Sequence, residues 1–359
     1  MEGILIYQLM QLSPGVLRQK ITNAPKNNKK KYVIALLLRD FCLLSFAIGY
    51  ITTFISVFGN ENSSVAVASF CMIISLHFVG FGFRASDGVI ALAIVLLIMF
   101  IGSVLWFVLP TALGLVANLI SILLILILTS SRPELGNAGV YVFSYIFITG
   151  MTVTGSLVIT RGLAILTVFI MLSLILLFKH SANDSKIRLH HLFKQINLHS
   201  KTTQWHIRLA LGISIVIAIS DWSNLNRPVW LGYACMSILL PQTGNYLKRA
   251  HHRLAGIVFG SLLFIICTNY LPESILFILA PAAGFCLGLT INYFLHSLLN
   301  CFGALTLATS IYGLSLSGSI RIWDNFIGIS IALIFAALFE IILKIYQKNH
   351  SLPLTNQSI

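Results

Sequence analysis

The amino-acid sequence predicts an all-α polytopic membrane protein of about twelve transmembrane helices, arranged as two parallel six-helix repeats. Three observations carry that reading. The 359 residues are 57% hydrophobic and only 9% charged, where a soluble chain carries about a quarter charged residues. The mean hydropathy is +0.92. The apolar residues also gather into recurring runs of roughly 17 to 25, the length that crosses a bilayer as a helix. These properties exclude a soluble globular enzyme, a disordered chain and a disulfide-rich module. The cysteines Cys42, Cys71, Cys235, Cys267, Cys286 and Cys301 all lie in apolar stretches and form no CxxC pair. They read as small apolar packing residues.

In chain order, residues 1–31 read as a short interfacial segment and a basic tether, Lys26 to Lys31. The apolar part is too short to span, and the basic cluster follows it, so it is not a cleavable signal. Residues 32–180 form the first half, with spans at 32–58, 65–83, 89–109, 111–130, 138–156 and 162–179. A polar cytoplasmic linker occupies 181–204. The second half, 205–346, has spans at 205–220, 229–240, 253–270, 274–290, 292–314 and 322–346, and 347–359 is a cytoplasmic tail. The run at 229–240 is the weakest, since it is short and meets Pro241-Gln242-Thr243-Gly244. A broken helix there needs protein or a water-filled cavity to cover its freed backbone groups.

Basic residues orient the spans. With the N-terminus in the cytoplasm, roughly 20 Lys and Arg fall inside and only Arg161, Arg227 and Arg321 outside. Both termini are therefore expected in the cytoplasm, in a bacterial inner membrane. The formal charge of +13 is then topogenic and does not call for nucleic acid. The halves also repeat. Arg39 matches Arg208, Arg84-Ala85 matches Arg249-Ala250, and Arg161 matches Arg321, each pair roughly 160 to 170 residues apart. An even number of helices per half makes the repeats parallel.

Two segments stand out as chemistry. In the first, Lys248, Arg249 and Arg253 precede Gly256-x-x-x-Gly260. On a helix, Arg249 and Arg253 are i,i+4 and share a face. Guanidinium groups so placed hold a carboxylate bidentately, and the glycines admit a neighbouring backbone. The alternative is a topogenic cluster that snorkels to lipid phosphates. In the second segment, Arg321 and Asp324 are i,i+3 and precede Gly328. They form a substrate contact or a structural ion pair. Arg249, Arg253, Lys248 and Arg84 are expected at the cytoplasmic side, with Arg321, Asp324 and Arg161 at the far mouth. Asp324 and Asp87 are the candidate proton carriers. His77, Asn118, His296, Asn300 and Glu340 are the other polar residues within or near spans, and Glu340 is expected to pair with Lys344. The linker histidines match no zinc spacing. No Gly-Lys dipeptide, HExxH or GxSxG occurs, so neither a cofactor, a metal nor an enzymatic activity is expected.

The pattern Arg249-x-x-x-Arg253-x-x-Gly256-x-x-x-Gly260, with a later Arg321-x-x-Asp324-x-x-x-Gly328, resembles the fusaric acid resistance protein-like (FUSC) family, which includes aromatic acid exporters. The likeness is best over 205–346 and weaker over 32–180. It implies six-helix units and export of small organic anions, aromatic or other weak carboxylic acids. It also implies contact with membrane lipids, and leaves room for a periplasmic adaptor and a homodimer. Many members carry a sizeable cytoplasmic domain between or after their membrane units. Here only the short linker separates the halves, so that domain's role does not carry over. Two other readings stay open from the residues alone: a passive anion channel, and a membrane scaffold whose arginines bind anionic lipid.

Overall fold

The structure, a computed structural model, describes residues 2–105, 108–130, 137–181, 187–194, 196–198, 200–223, 225, 228–241 and 245–349. Arg132, Lys186, His199, Arg227 and the segment Gln242-Thr243-Gly244, each used in the reading above, lie outside the described residues. The described residues form fifteen α-helices and one 3-10 turn, with no strand. The first six are α1 (Glu2–Met10), α2 (Pro14–Asn23), α3 (Lys26–Phe58), α4 (Ser63–Phe78), α5 (Ala85–Leu105) and α6 (Thr111–Thr129). Then come α7 (Asn137–Thr149), α8 (Leu157–His180), α9 (Leu189–Lys194), α10 (Lys201–Trp222) and α11 (Pro228–Ile238). The chain ends with α12 (Tyr246–Tyr270), α13 (Glu273–Leu289), α14 (Tyr293–Tyr312) and α15 (Leu314–Asn349).

Each expected span falls on a helix, but the helices are of two kinds. Seven, within α3, α5, α6, α8, α10, α12 and α15, are long and apolar enough to cross a membrane. The shorter apolar helices include α7, α11 and α13. The chain is thus a multi-pass membrane protein. Several helices start well before their apolar run. The basic tether, Lys26 to Lys31, forms the first turns of α3 and not a flexible segment. Likewise α12 starts at Tyr246 and α15 at Leu314, about two turns ahead of Arg253 and Arg321. Lys, Arg and Gln are good helix formers, so an apolar run marks where lipid begins, not where the helix begins. At α15, Gly313 takes a φ of 78° to close α14, a left-handed conformation that glycine adopts without steric cost. The Ser317 hydroxyl then donates to the Gly313 carbonyl at 2.6 Å.

The chain divides into two compact units, and neither is one of the sequence halves. The first comprises 1–74, 153–170 and 248–325. Its core joins Ile257, Phe264, Cys301, Phe302 and Leu305, with Ala283 of α13 beneath. Here α12 and α14 touch backbone to backbone. A Cβ on Gly256 would stand 2.6 Å from the Phe294 carbonyl, and one on Gly260 2.5 Å from that of Leu298. In the same unit α1 and α2 pack on α3, and Arg18 of α2 donates to the Leu289 carbonyl at the end of α13.

The second unit comprises 75–152, 171–247 and 326–359. There α10 is the central element, packed on α6 and α11, with 61% of its span buried. The break after α11 is covered by protein. Trp205 Nε1 donates to the Leu239 carbonyl at 2.9 Å, and Arg208 Nη2 to that of Leu240 at 2.6 Å. These carbonyls have no partner within α11, so the two α10 side chains complete the helix end. Gly328 brings α15 against α11, where a Cβ would meet the Leu231 carbonyl at 2.7 Å.

The α12–α14 contact gives a direct test. Gly256→Val and Gly260→Val should each lower the melting temperature of the purified protein by several degrees, since overpacking costs about 1–3 kcal/mol. Gly303→Ala, whose Cβ would have nothing within 4 Å, should be neutral. An unchanged melting temperature for both valine variants would show that the helices do not meet there.

Candidate functional site

The early starts of α12 and α15 move the arginines inward. Arg253 is two turns inside α12, and Arg321 two turns inside α15. In the first compact unit they meet. Arg253 Nη2 donates to Asn325 Oδ1 at 3.1 Å. The Asn325 amide nitrogen in turn donates to the Arg321 carbonyl at 2.8 Å, which fixes the amide orientation and presents its oxygen to Arg253. Arg321 lies close enough for its charge to act on Arg253. Its Nε donates to the Cys301 sulfur at 3.5 Å. Arg249, one turn before Arg253, lays its guanidinium over the Tyr293 ring, 4.1 Å from the centroid, a cation–π contact. The glycine contact between α12 and α14 is what brings Tyr293 and Cys301 beside these arginines.

The cluster is electropositive, with Arg249 and Arg253 partly buried and its α15 side fully so. Arg321, Asp324 and Asn325 are 4%, 3% and 1% exposed. Asp324 supplies a carboxylate one turn from Arg321, and no other acidic residue occurs in α12, α14 or the start of α15 through Asn325. Asp324 is thus the one carboxylate on these helix segments. The Nε of Arg253 is also buried with no hydrogen-bond partner among the described residues. Chemically, this is a set of planar donors around an anion-sized deficit of negative charge.

This geometry corrects the expected layout. Arg253 and Arg321 were placed at opposite mouths of a pathway, yet they belong to one cluster. The apolar runs omit two helical turns on each helix, and a long arginine side chain spans what remains. Arg161, also expected at the far mouth, is fully buried. Its Nε donates to Asn62 Oδ1 at 2.6 Å and its Nη2 to the Glu61 carbonyl at 2.5 Å. It pegs the turn between α3 and α4 to α8. Lys248 is exposed. Arg84 is exposed, and its backbone N–H donates to the Ile187 carbonyl in the second unit.

The remaining polar residues also find places. Asp87 accepts from the Leu189 N–H at 3.0 Å, so it caps the linker helix α9. The charge of Glu340 acts on Arg208 and Tyr246. His77 meets Lys179 Nζ at 2.6 Å. His296 and Asn300 are exposed on α14, and Asn118 accepts from the Tyr145 hydroxyl at 2.6 Å. The sequence reading assigns no role to Asn325 or Tyr293, and takes Cys301 as a packing residue only. It also passed over Asp40, which is 4% exposed and paired with Arg39 at 2.7 Å. A carboxylate inside the first long apolar run was the available signal for Asp40. Nothing in the spacing signals Cys301 or Tyr293, because their role comes from helix packing.

Every residue of the cluster lies in a stretch with known relatives. Residues 215–335 match the family model for fusaric acid resistance protein-like proteins. The resemblance read from the arginine and glycine pattern is thus borne out over this stretch. No curated protein and no solved structure matches the chain. The matched stretch holds Arg249, Arg253, Arg321, Asp324 and Asn325 together with the α12–α14 contact.

Arg161 separates structural from functional arginines. Arg161→Met keeps most of the volume but leaves the Asn62 oxygen and the Glu61 carbonyl without their donor, at roughly 1–3 kcal/mol for each buried acceptor. It should lower the melting temperature while weak-acid export per folded molecule stays at the wild-type rate. Unchanged stability with lost export would return Arg161 to the transport path.

Proposed function

We propose that the protein exports small organic anions, aromatic or other weak carboxylic acids, across a bacterial inner membrane. The single observation that carries the reading is the cluster in which Arg253 and Arg321 converge on Asn325, beside Arg249, Tyr293 and Cys301, with Asp324 the one acid on these helix segments. Desolvating a guanidinium among apolar helices is costly, by several kcal/mol per ion. A carboxylate entering the cluster relieves that cost and fills the orphan Nε of Arg253. Its two oxygens match the guanidinium fork, and the Tyr293 ring beside Arg249 offers an apolar face to an aromatic substrate. Asp324 keeps the cluster from holding the anion too tightly to release it.

In this reading the chain has two parallel six-helix halves with both termini in the cytoplasm, as its charge asymmetry favours. A cytoplasm-negative potential drives an anion outward by about 2.3 kcal/mol per charge per 100 mV. Export then needs no nucleotide. The residues do the binding and the desolvation, and the membrane potential supplies the direction.

Uptake of radiolabelled weak acids into inside-out vesicles tests this. Arg253→Lys and Arg321→Lys keep the charge but lose the planar fork. Each should cut uptake about tenfold or more, the worth of one charge-assisted hydrogen bond at roughly 1.5–3 kcal/mol. Lys248→Gln should transport as wild type. Wild-type uptake by both arginine variants, with wild-type vesicles active, would sink the anion-site reading.

A further inference from the structure

The second compact unit contains a cavity of about 130 Å³ between α5, α6 and α7. Ile98, Ile101, Leu105 and Leu109 supply an apolar lining, and no charged side chain faces it. The pocket is open on one side, where Ile101 and Leu105 are exposed, and its volume is close to that of a closed apolar cavity of about 150 Å³ that takes up one benzene ring. One polar group stands in that lining. Asn118 is 4% exposed. Its oxygen accepts from the Tyr145 hydroxyl at 2.6 Å, with Ser121 beside that hydroxyl. Its Nδ2 has no hydrogen-bond partner among the described residues and lines the cavity. A buried amide donor without an acceptor costs about 1–3 kcal/mol. A ligand that brings an acceptor recovers it.

We propose that this cavity is a binding site for an uncharged, single-ring aromatic molecule carrying one hydrogen-bond acceptor, which the Asn118 amide recognises. The site excludes charged ligands, because a carboxylate or ammonium would find no counter-ion there. Tyr145 holds the amide by its oxygen, so both N–H groups are directed away from it. Gly114 leaves the room. A Cβ at Gly114 would have nothing within 4 Å, yet the residue lines the cavity. A larger side chain at this helical position therefore fills the space without displacing a neighbour. The site uses none of the arginine cluster, so its test is independent of export.

The experiment is a ¹⁹F NMR titration of the full-length protein in lipid nanodiscs with 4-fluoroacetophenone and with fluorobenzene, which lacks the acceptor. Wild type should bind 4-fluoroacetophenone saturably and about fivefold to tenfold more tightly than fluorobenzene, the worth of one neutral hydrogen bond. Gly114→Leu should fold normally and lose saturable binding of both. Tyr145→Phe, which leaves the Asn118 donors in place, should retain the preference for the acceptor. Three results would each overturn the proposal. One is signal that only rises linearly with ligand in wild type, as simple partition or an acyl-chain occupant would give. Another is equal affinity for the two probes. The third is saturable binding that survives Gly114→Leu.

Discussion

A guanidinium among apolar helices must find oxygen acceptors within the protein, because neither lipid tails nor aliphatic side chains supply them. Where those donors go sorts the arginines of this chain into two groups. Arg18, Arg161 and Arg208 reach main-chain carbonyls, those of Leu289, Glu61 and Leu240. Two of these carbonyls lie at or just past a helix C-terminus, where the macrodipole also favours a cation. Such bonds tie an element end to its neighbour. Arg253 and Arg321 instead meet side chains, the Asn325 amide and the Cys301 thiol. A thiol is a weak acceptor, and a buried Nε is left without a hydrogen bond on Arg253, as on Arg18 and Arg208. The first group ties element ends to their neighbours, and the second links side chains of α12, α14 and α15.

That division depends on how closely the helices pack. Without the glycines at 256 and 260, α14 would stand farther from α12, and neither Tyr293 nor Cys301 would reach the arginines. The driving force is van der Waals contact between small residues, since lipid removes most of the hydrophobic incentive for helices to associate. The same device recurs at Gly328 against α11 in the other unit. Glycine thus sets a helix spacing within each unit.

The short helices follow from the same accounting of backbone polar groups. Helix α11 is too short to cross a bilayer unaided, and its end lies inside the protein. It persists because Trp205 and Arg208 satisfy its last carbonyls. In a soluble protein water would do this, and no such pair would be needed.

Composition and run length alone determined that the chain is helical and crosses a membrane, because a bilayer fixes both the length and the polarity of what can span it. The arginine and glycine spacing likewise pointed to the family over residues 215–335 and to Arg249, Arg253, Arg321 and Asp324 as the residues of interest. The helix starts were not legible, since apolar runs report lipid contact while Lys26 and the serines before Arg321 are as helical as the residues after them. Which arginines share a site was not legible either. Arg161 and Arg321 occupy matching places in sequence, each opening the sixth span of its half. Only tertiary packing makes one a peg in the Asn62 turn and places the other beside Arg253, because pairing across 68 residues of chain is decided by which helix backbones can touch, and no periodicity along the sequence encodes that.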